Sequence, residues 1–176
     1  MVFEDFNLHP AVAAGVWSAG FTSPTPIQAK AIPPVMKRRD VMGLAQTGTG
    51  KTAAFALPIL NGLLKNQRYV QALVVAPTRE LAIQVAEAFR NYGMGCAVSV
   101  LPVFGGEPYS HQIKRLKKGV DIVVGTPGRL LDHFERGKLL LTGVQIMVVD
   151  EADRMLDMGF IPDIERIFSL TPFTRQ

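Results

Sequence analysis

Five short apolar segments recur along the chain from position 40 onward, and each is about as long as one β-strand. They cover positions 40–45, 71–76, 97–103, 120–125 and 144–149. Most of them are apolar at nearly every position, and a continuous short apolar run indicates a strand that is buried on both faces. The pattern therefore predicts strands in the interior of a sheet.

Candidate helices occupy the intervals between and after these strands. They cover positions 51–65, 79–92, about 108–117, 127–136 and 160–169. Strands that alternate with helices predict an α/β fold, in which a mostly parallel sheet carries helices on both faces. Ligands bind at the carboxyl ends of the strands in such folds, so we expect functional residues to follow the strands directly.

Two further helices are predicted before the first strand. His9-Pro10 is typical of a helix start, because proline is tolerated in the first helical turn, and Gly20 ends that helix. Pro26 is the expected first residue of a second helix, which carries Gln28 and Ile32. On the hydrophobic pattern alone, this segment is a helical pair that covers one edge of the sheet.

The composition is that of a compact globular domain. The chain has 176 residues, of which 48% are hydrophobic and 19% are charged, which suits one domain with a full core. No apolar run reaches the length of a membrane span, and the acidic start Met1–Asp5 lacks the layout of a signal peptide. We therefore expect a cytoplasmic protein that does not associate with membranes.

Charge and cysteine content narrow the chemistry only slightly. The net charge is +4, which is compatible with a polyanionic partner without establishing one. The single cysteine, Cys96, excludes an internal disulfide and a cysteine-based metal site, and we expect it to be a small buried hydrophobe. The three histidines have neither metal nor catalytic spacing.

A glycine-bearing octet, AQTGTGKT at positions 45–52, separates the first strand from the first long helix. Gly48 and Gly50 allow positive φ and bring backbone N–H groups close to phosphate oxygens, and the helix dipole adds positive potential. Lys51 offers a charge for the β- and γ-phosphates, and Thr52 offers a hydroxyl for Mg²⁺. The general pattern has glycine where this chain has Ala45, so a simple glycine-rich surface turn is the alternative.

The other four strands also end in residues with functional chemistry, as the fold class predicts. The segments are Pro77-Thr78-Arg79-Glu80-Leu81-Ala82, Gly105-Gly106, Thr126-Pro127-Gly128-Arg129 and Asp150-Glu151-Ala152-Asp153. In the last segment, the Asp150 carboxylate could hold Mg²⁺, and Glu151 could orient and deprotonate an attacking water. The alternative is an acidic helix N-terminus, which the helix dipole favours in any case.

Taken together, the octet and these four segments resemble the ordered motifs of DEAD-box RNA helicases, specifically the N-terminal RecA-like domain of the bacterial type. The resemblance covers the chain from Phe3 to Gln176, and alanine at position 45 is usual in that family. It implies binding and hydrolysis of ATP with Mg²⁺. The resemblance assigns Lys51, Asp150 and Glu151 to catalysis, Thr52 and Asp150 to Mg²⁺, and Asp153 to coupling between domains.

The resemblance also implies which residues bind ATP. The segment Gly20–Gln28 resembles the adenine-reading motif, with Gln28 matching the N6/N7 edge of adenine and Phe3 as the upstream aromatic. Phe3 could equally be an ordinary core aromatic. The implied ATP-binding residues are Phe3, Phe21, Thr22, Gln28, Thr47, Gly48, Thr49, Gly50, Lys51 and Thr52.

The remaining strand-end segments suit a nucleic-acid backbone. They supply small residues, hydroxyls, loop N–H groups and two guanidiniums, which match phosphates and sugar hydroxyls rather than base edges. The implied RNA-binding residues are Pro77, Thr78, Arg79, Gly105, Gly106, Thr126, Pro127, Gly128 and Arg129. Alternatives are a surface salt bridge of Arg79 with Glu80 or a neighbour such as Asp132, and a plain turn at positions 126–128.

The resemblance implies a domain organisation as well. We expect an N-terminal adenine-recognition segment at 1–38 packed on the core, and a RecA-like helicase domain at 39–176 that stops before a Ser-Ala-Thr motif. A second RecA-like domain would be missing from this chain, so the chain alone is expected to be monomeric and nearly inactive. The full protein would bind RNA independently of sequence and unwind short duplexes. A non-catalytic RNA-binding scaffold and a DNA helicase are the alternatives.

Overall fold

The computed structural model describes residues 1–46, 48–63 and 67–176, and these form two compact units. The first unit comprises Met1–Lys65, Glu87–Val98 and Gln176. The second unit comprises Asn66–Ala86 and Ser99–Arg175. No helix in the described ranges combines the length and the hydropathy of a membrane span.

The first unit is helical. Its elements are a 3₁₀ helix at Phe3–Phe6, α1 at Pro10–Ser18, α2 at Pro26–Met36 and α3 at Lys51–Gly62. Both proline-started helices begin as predicted: Pro10 and Pro26 are the first residues, and His9 and Thr25 accept hydrogen bonds from N–H groups of the first turns. Helix α2 packs against α3.

The second unit contains a four-stranded parallel sheet, which confirms the predicted fold class. The strands are β1 at Ala72–Val75, β2 at Val100–Val103, β3 at Ile122–Gly125 and β4 at Ile146–Val149, in the order β2-β3-β1-β4. The helices are α4 at Arg79–Tyr92, which continues into the first unit, α5 at Tyr109–Lys118, α6 at Pro127–Glu135, α7 at Ala152–Asp157 and α8 at Ile161–Leu170.

The core of the second unit lies between one face of this sheet and three helices. Alternate strand residues point to the same face, so Leu73 and Val75 of β1 share that face with Leu101, Val103 and Val123. The helices contribute Leu130 and Leu131 of α6, Met155 of α7, and Ile164 and Ile167 of α8. Burial of this apolar surface fixes α6, α7 and α8 against the sheet.

The amino-terminal edge of the sheet is held together by one buried carboxylate. Asp121 lies immediately before β3, Gln71 before β1 and Ser99 before β2. One carboxylate oxygen of Asp121 accepts hydrogen bonds from the Gln67 N–H at 2.9 Å and the Gln71 side-chain amide at 3.0 Å. The other accepts from the Ser99 N–H at 2.9 Å and the Ser99 hydroxyl at 3.2 Å. Three segments are thereby fixed by one side chain.

The predicted strand at 40–45 is wrong. This segment has no regular secondary structure, and Met42 and Leu44 are 92% and 91% exposed. A strand requires backbone hydrogen bonds from a neighbouring strand, and positions 40–45 pair with none of the described strands. Hydrophobicity supplies no such partner by itself.

The other element predictions differ from the structure mainly at their ends. The four observed strands lie inside the predicted segments, and α4 has the predicted bounds. Helix α3 was predicted to reach position 65 but ends at Gly62, and positions 64–66 lie outside the described residues. Helix α7 was not predicted. Cys96 is half-buried in the loop before β2 rather than fully buried, and this partial burial raises the pKa of its thiol.

Candidate functional site

The register of the sheet brings four of the candidate segments to one edge. Val75, the last residue of β1, is paired with Gly125 of β3 and Val149 of β4, and Gly125 is paired with Val103 of β2. The ladder continues one residue further, because the N–H groups of the next residues, Ala76, Thr126 and Asp150, donate to Gly125, Val103 and Val75 at 2.9–3.0 Å. The residues that follow all four strands therefore emerge side by side.

In the first unit, the described part of the candidate phosphate loop turns tightly at positions 48–50 and leads into α3. Gly48 and Gly50 have φ of 86° and 82°, so both occupy the left-handed region that glycine allows. The Thr49 hydroxyl and N–H both reach the Gln46 carbonyl oxygen, at 2.6 and 3.3 Å. Lys51 follows as the first residue of α3. Thr47 lies outside the described residues.

Lys51 and Thr52 occupy the first turn of α3, and both are half-buried. The first N–H groups of a helix have no acceptor within the helix, so this turn can present donors to an anion. Gly50 is the N-cap and has no side chain that would occupy these donors. The turn therefore has the local form expected of a phosphate-binding loop.

Gln28 contacts the phosphate loop directly. Its side chain is 1% exposed, and its amide nitrogen donates to the Gly50 carbonyl oxygen at 3.0 Å. Its amide oxygen accepts from the Thr25 N–H at 3.0 Å, which completes a capping box at the start of α2. A Cβ on Gly50 would collide with the Gln28 amide nitrogen. Gln28 thus fixes the loop, in addition to the adenine contact that its sequence position suggests.

The two aromatic residues that were predicted to bind ATP, Phe3 and Phe21, lie in one cluster of rings. Phe3 is buried, and its ring stacks on Phe21 with centroids 5.9 Å apart and an interplanar angle of 15°. Phe6 and Tyr92 contact the two rings from either end, at 5.8 and 5.6 Å. Phe21 is half-buried and its neighbour Thr22 is exposed. Phe3 therefore supports Phe21, in agreement with its alternative role as a core aromatic.

The acidic segment follows β4 in the second unit. Asp150 is 5% exposed and lies at the strand-end edge of the sheet. Glu151 is the N-cap of α7 with φ of 52° and ψ of 52°, a left-handed conformation that is strained for a side chain of this kind. Its carboxylate lies 3.4 Å from the guanidinium of Arg154. Asp153 is exposed in the first turn of α7.

Two neighbouring segments begin helices at the same edge. Thr78 accepts a hydrogen bond on its hydroxyl from the Leu81 N–H at 3.2 Å, and Pro77 before it is buried. Thr126 is the N-cap of α6, and Pro127 is its buried first residue. Gly128 is exposed in the same turn. Part of the suggested alternative is thus correct, because the 126–128 segment also serves as a helix start.

Arg79, Gly105, Gly106 and Arg129 converge, and we call them the arginine–glycine cluster. A Cβ on Gly106, whose φ is 85°, would lie 3.4 Å from Arg79 Nη1, and a Cβ on Gly105 would lie 4.0 Å from Arg129 Nη2. The Arg79 guanidinium lies 4.9 Å from the centre of the Phe104 ring. Among the described residues no carboxylate is within ion-pair distance of Arg79, so the alternative salt bridge with Glu80 does not form. Two cations therefore flank an exposed glycine turn.

Sequence reasoning missed two buried polar residues beside this cluster, Gln112 of α5 and His133 of α6. The His133 Nε2 and Gln112 Oε1 atoms are 2.6 Å apart. A signal was present in the pattern: Gln112 precedes Leu116 by four positions and His133 follows Leu130 by three, so each lies on an apolar helix face. A polar residue at such a position needs a buried partner.

Comparison with known proteins gives a consistent result. Residues 25–176 match the family model described as DEAD/DEAH box helicase. The chain is 53% identical over 175 residues to the ATP-dependent RNA helicase DeaD of Mycobacterium tuberculosis strain H37Rv, covering 99% of this chain and 31% of that protein. It is 49% identical over 176 residues to the DEAD-box ATP-dependent RNA helicase CshA of Bacillus subtilis strain 168, covering 100% of this chain and 36% of that protein.

A solved structure also matches along the whole chain. The crystal structure of a DEAD box protein from the hyperthermophile Methanococcus jannaschii superimposes with a TM-score of 0.95 at 40% identity, covering 100% of this chain and 48% of that one. The fold is therefore that of a RecA-like helicase domain. The chain spans about a third of the length of the curated relatives it matches (31% and 36% in the two above).

Proposed function

Because the chain belongs to the DEAD/DEAH box helicase family, we propose that it is the N-terminal ATP- and RNA-binding domain of an ATP-dependent RNA helicase. The full protein would couple hydrolysis of Mg²⁺-ATP to sequence-independent binding of single-stranded RNA and to local separation of duplexes. A cytoplasmic location belongs to this proposal, because ATP and RNA are both available there.

The phosphate loop would hold the nucleotide. Lys51 would contact the β- and γ-phosphates, and the N–H groups around Gly48 and Gly50 would donate to their oxygens. Gln28 would read the adenine edge with the hydrogen-bonding capacity that its contacts to Thr25 and Gly50 leave over, since an amide has two donors and two lone pairs. Binding of the base would then be linked to the shape of the loop.

The donor set of the chain fits Mg²⁺. Thr52 and Asp150 offer a hydroxyl and a carboxylate, which are hard oxygen ligands of the kind this ion prefers. Among the described residues no group of three or more His, Cys, Asp or Glu could hold a metal. Mg²⁺ that is held mainly by phosphate and water oxygens needs no such group. When bound, it would offset the negative charge of the phosphates.

Glu151 would orient the attacking water and accept its proton, and Asp153 would couple the site to a second domain. The strained left-handed backbone of Glu151 supports this role, because residues are held in such conformations most often where their direction matters. Arg154, at 3.4 Å, would help to hold the Glu151 carboxylate in that direction.

The arginine–glycine cluster would bind the RNA backbone. Arg79 and Arg129 would contact phosphates, while the exposed turn of Gly105 and Gly106 would let the strand approach the protein backbone closely. Pro77, Thr78 and the 126–128 segment would shape the remaining surface. Such contacts carry no base information, so binding would not depend on sequence.

One observation carries the proposal: the register that places Asp150, Thr126, Ala76 and the residues after Val103 at the same edge of the sheet. The Mg²⁺-binding carboxylate and the RNA-binding segments are therefore continuations of hydrogen-bonded neighbouring strands. A displacement of one strand end is passed to the next through this ladder, which offers a direct physical link between nucleotide and RNA.

A variant of the catalytic glutamate tests the enzymatic part. Glu151→Gln in the full-length protein should lower RNA-stimulated ATP hydrolysis by at least about a hundred-fold, because an amide cannot accept the proton of water. Glu165→Gln, an exposed residue of α8, is the matched control and should leave the rate unchanged. Full activity of Glu151→Gln would show that Glu151 is not the general base, whereas a wild-type full-length protein that binds RNA but hydrolyses no ATP would favour a scaffold role. The chain alone should be nearly inactive, since an arginine finger from a second domain contributes about 10³–10⁵ in rate in related enzymes.

Loss of an arginine tests the RNA part. Arg79→Met should weaken binding of a single-stranded oligouridine by the 176-residue chain. The salt slope, which is the steepness with which the logarithm of the binding constant falls with the logarithm of the salt concentration, should decrease by about 0.7 for each phosphate that is no longer bound. Lys117→Met removes the same charge from the exposed end of α5 and should have little effect. Equal losses in both variants would show that general positive charge, not the arginine–glycine cluster, binds the strand.

A further inference from the structure

Gln112 uses its whole hydrogen-bonding capacity on protein partners. The side chain is 1% exposed, and its amide nitrogen donates to the Phe104 carbonyl oxygen at 3.0 Å and to the Glu107 carboxylate at 2.8 Å. Its amide oxygen lies 3.3 Å from Arg129 Nη1 and 2.6 Å from His133 Nε2. An amide has two N–H donors and two lone pairs, so these four partners fix its orientation. We call these five residues the Gln112 network.

His133 can play only one part in this network. The amide oxygen of Gln112 is an acceptor, so Nε2 of His133 carries the hydrogen and donates it. Burial, followed by the positive charges of Arg129 and Arg136, lowers the pKa of this histidine, and Asp132 opposes them only weakly. The His133 and Tyr109 rings form a T-shaped pair with centroids 5.3 Å apart. His133 is therefore a neutral hydrogen-bond donor near pH 7.

The guanidinium of Arg129 is held along one edge. Nη1 donates to the Glu107 carbonyl oxygen at 3.0 Å and to Gln112, and the group lies over the Tyr109 ring at 3.9 Å. The Tyr109 hydroxyl is itself fixed by a hydrogen bond to Asp132 at 2.7 Å. A guanidinium has five N–H donors, so Nη2 and Nε can still meet a phosphate in the paired geometry that arginine favours.

The partners of Gln112 belong to two different segments, the loop after β2 and helix α6. Phe104 and Glu107 bracket the Gly105–Gly106 turn after β2, whereas Arg129 lies in the first turn of α6, which follows β3. One side chain thus sets the distance between an exposed glycine turn and a cation. Single-stranded RNA presents one phosphate per nucleotide along its backbone, so the affinity of this surface depends on how far apart its phosphate-binding groups lie.

We propose that Gln112 and His133 are positioning residues of the RNA site, which hold Arg129 and the Gly105–Gly106 turn at the separation that fits successive phosphates. Neither residue touches RNA. The inference rests on the RNA-binding role proposed above. Simple packing does not require this arrangement, because a well-fitting apolar pair would fill the same space without removing an amide and an imidazole from water.

Gln112→Met is the first test, because methionine keeps the length of the side chain and removes every hydrogen bond. With a labelled single-stranded oligouridine and the 176-residue chain, Kd should rise about ten-fold and the salt slope should fall by about 0.7, the value of one bound phosphate. Ser110→Met introduces the same side chain at an exposed, uncharged position of α5 and should change neither quantity. An unchanged slope and Kd in a folded Gln112→Met variant would overturn the proposal.

The second test uses two replacements of His133. His133→Phe keeps a ring but removes the donor, and should reproduce the loss of RNA affinity. His133→Gln restores an N–H donor and should recover most of it. If both variants lower Tm equally and bind RNA as the wild type does, the role of His133 is merely structural and the proposal fails. This pair also decides the matter if Gln112→Met does not fold.

An NMR measurement separates this inference from the proposed function. The amide signals of Gly105 and Gly106 and the Nε–H signal of Arg129 should shift or broaden in His133→Phe and return in His133→Gln. If the wild-type chain shows these signals but binds no RNA, the proposed function is wrong while the positioning network is real. If the signals are the same in all three proteins, the positioning inference is wrong whatever the RNA affinity.

Discussion

Replacing Gln28 with methionine should destabilise the phosphate loop and weaken nucleotide binding at the same time. Methionine has a similar length and a good helix propensity, so the change removes hydrogen bonds with little change in packing. The Thr25 N–H loses its acceptor at 3.0 Å, and the Gly50 carbonyl oxygen loses its donor at 3.0 Å. The capping box at the start of α2 and the tie to the loop are lost together.

The magnitude follows from these two bonds. Leaving a buried polar group without a partner costs about 1–3 kcal/mol, and two such groups set an upper limit of about 6 kcal/mol. Both bonds lie in partly buried surroundings, where water can compensate in part, so we expect the free energy of unfolding to fall by about 2–4 kcal/mol.

Urea denaturation followed by circular dichroism measures this loss, and calorimetric titration with Mg²⁺-ADP measures nucleotide affinity. Lys30→Met places the same side chain at an exposed position of α2 and should change the unfolding free energy by less than about 0.5 kcal/mol. The reasoning is refuted if Gln28→Met also stays within that limit. If a clearly destabilised Gln28→Met variant binds nucleotide with normal affinity, the stability estimate stands, but the link between Gln28 and nucleotide binding by the loop is refuted.

Three further predictions concern the second unit. The pKa of His133 is lowered from 6.5, so the unfolded state binds a proton at a higher pH than the folded state does. Stability to urea should therefore decline as the pH falls from 7 to 5, and this decline should be smaller in His133→Gln. Asp121→Asn turns one acceptor oxygen into a donor, which in either orientation faces another donor, such as the Ser99 N–H; the unfolding free energy should fall by about 2–4 kcal/mol in the same assay. Gly125→Ala places a Cβ 2.7 Å from Leu130 Cγ, and this overpacking should lower the free energy of unfolding by about 1–3 kcal/mol. Tm should therefore drop by several degrees, and a Tm within about 1 °C of the wild type would contradict this close packing.

The predictions from sequence were best where the structure depends on local chemistry. Proline at the first position and a capping side chain before it predicted the starts of α1 and α2, since these signals act within one helical turn. Glycines at 48 and 50 predicted positive φ for the same reason. The alternation of apolar runs and helices was enough for the parallel sheet, because few other arrangements bury continuous apolar strands on both faces.

Predictions that required a distant partner were less successful. The segment 40–45 is as apolar as the strands, yet it remains without a ladder, because hydrophobicity does not specify which backbone will pair with it. Gln112 and His133 went unnoticed for a related reason. They are 21 positions apart, and nothing in either local pattern indicates that the two side chains meet.

The sequence by itself determined the family, the fold class and the residue types of each functional segment, because motifs, caps and strand periodicity are written in neighbouring positions. Only the tertiary structure decided how these residues are held. Strand register placed four segments at one edge of the sheet, Gln28 turned out to bind Gly50, and Gln112 joined the loop after β2 to helix α6. Register and buried hydrogen bonds link residues that are far apart in the chain, and their energies depend on geometry that exists only after folding.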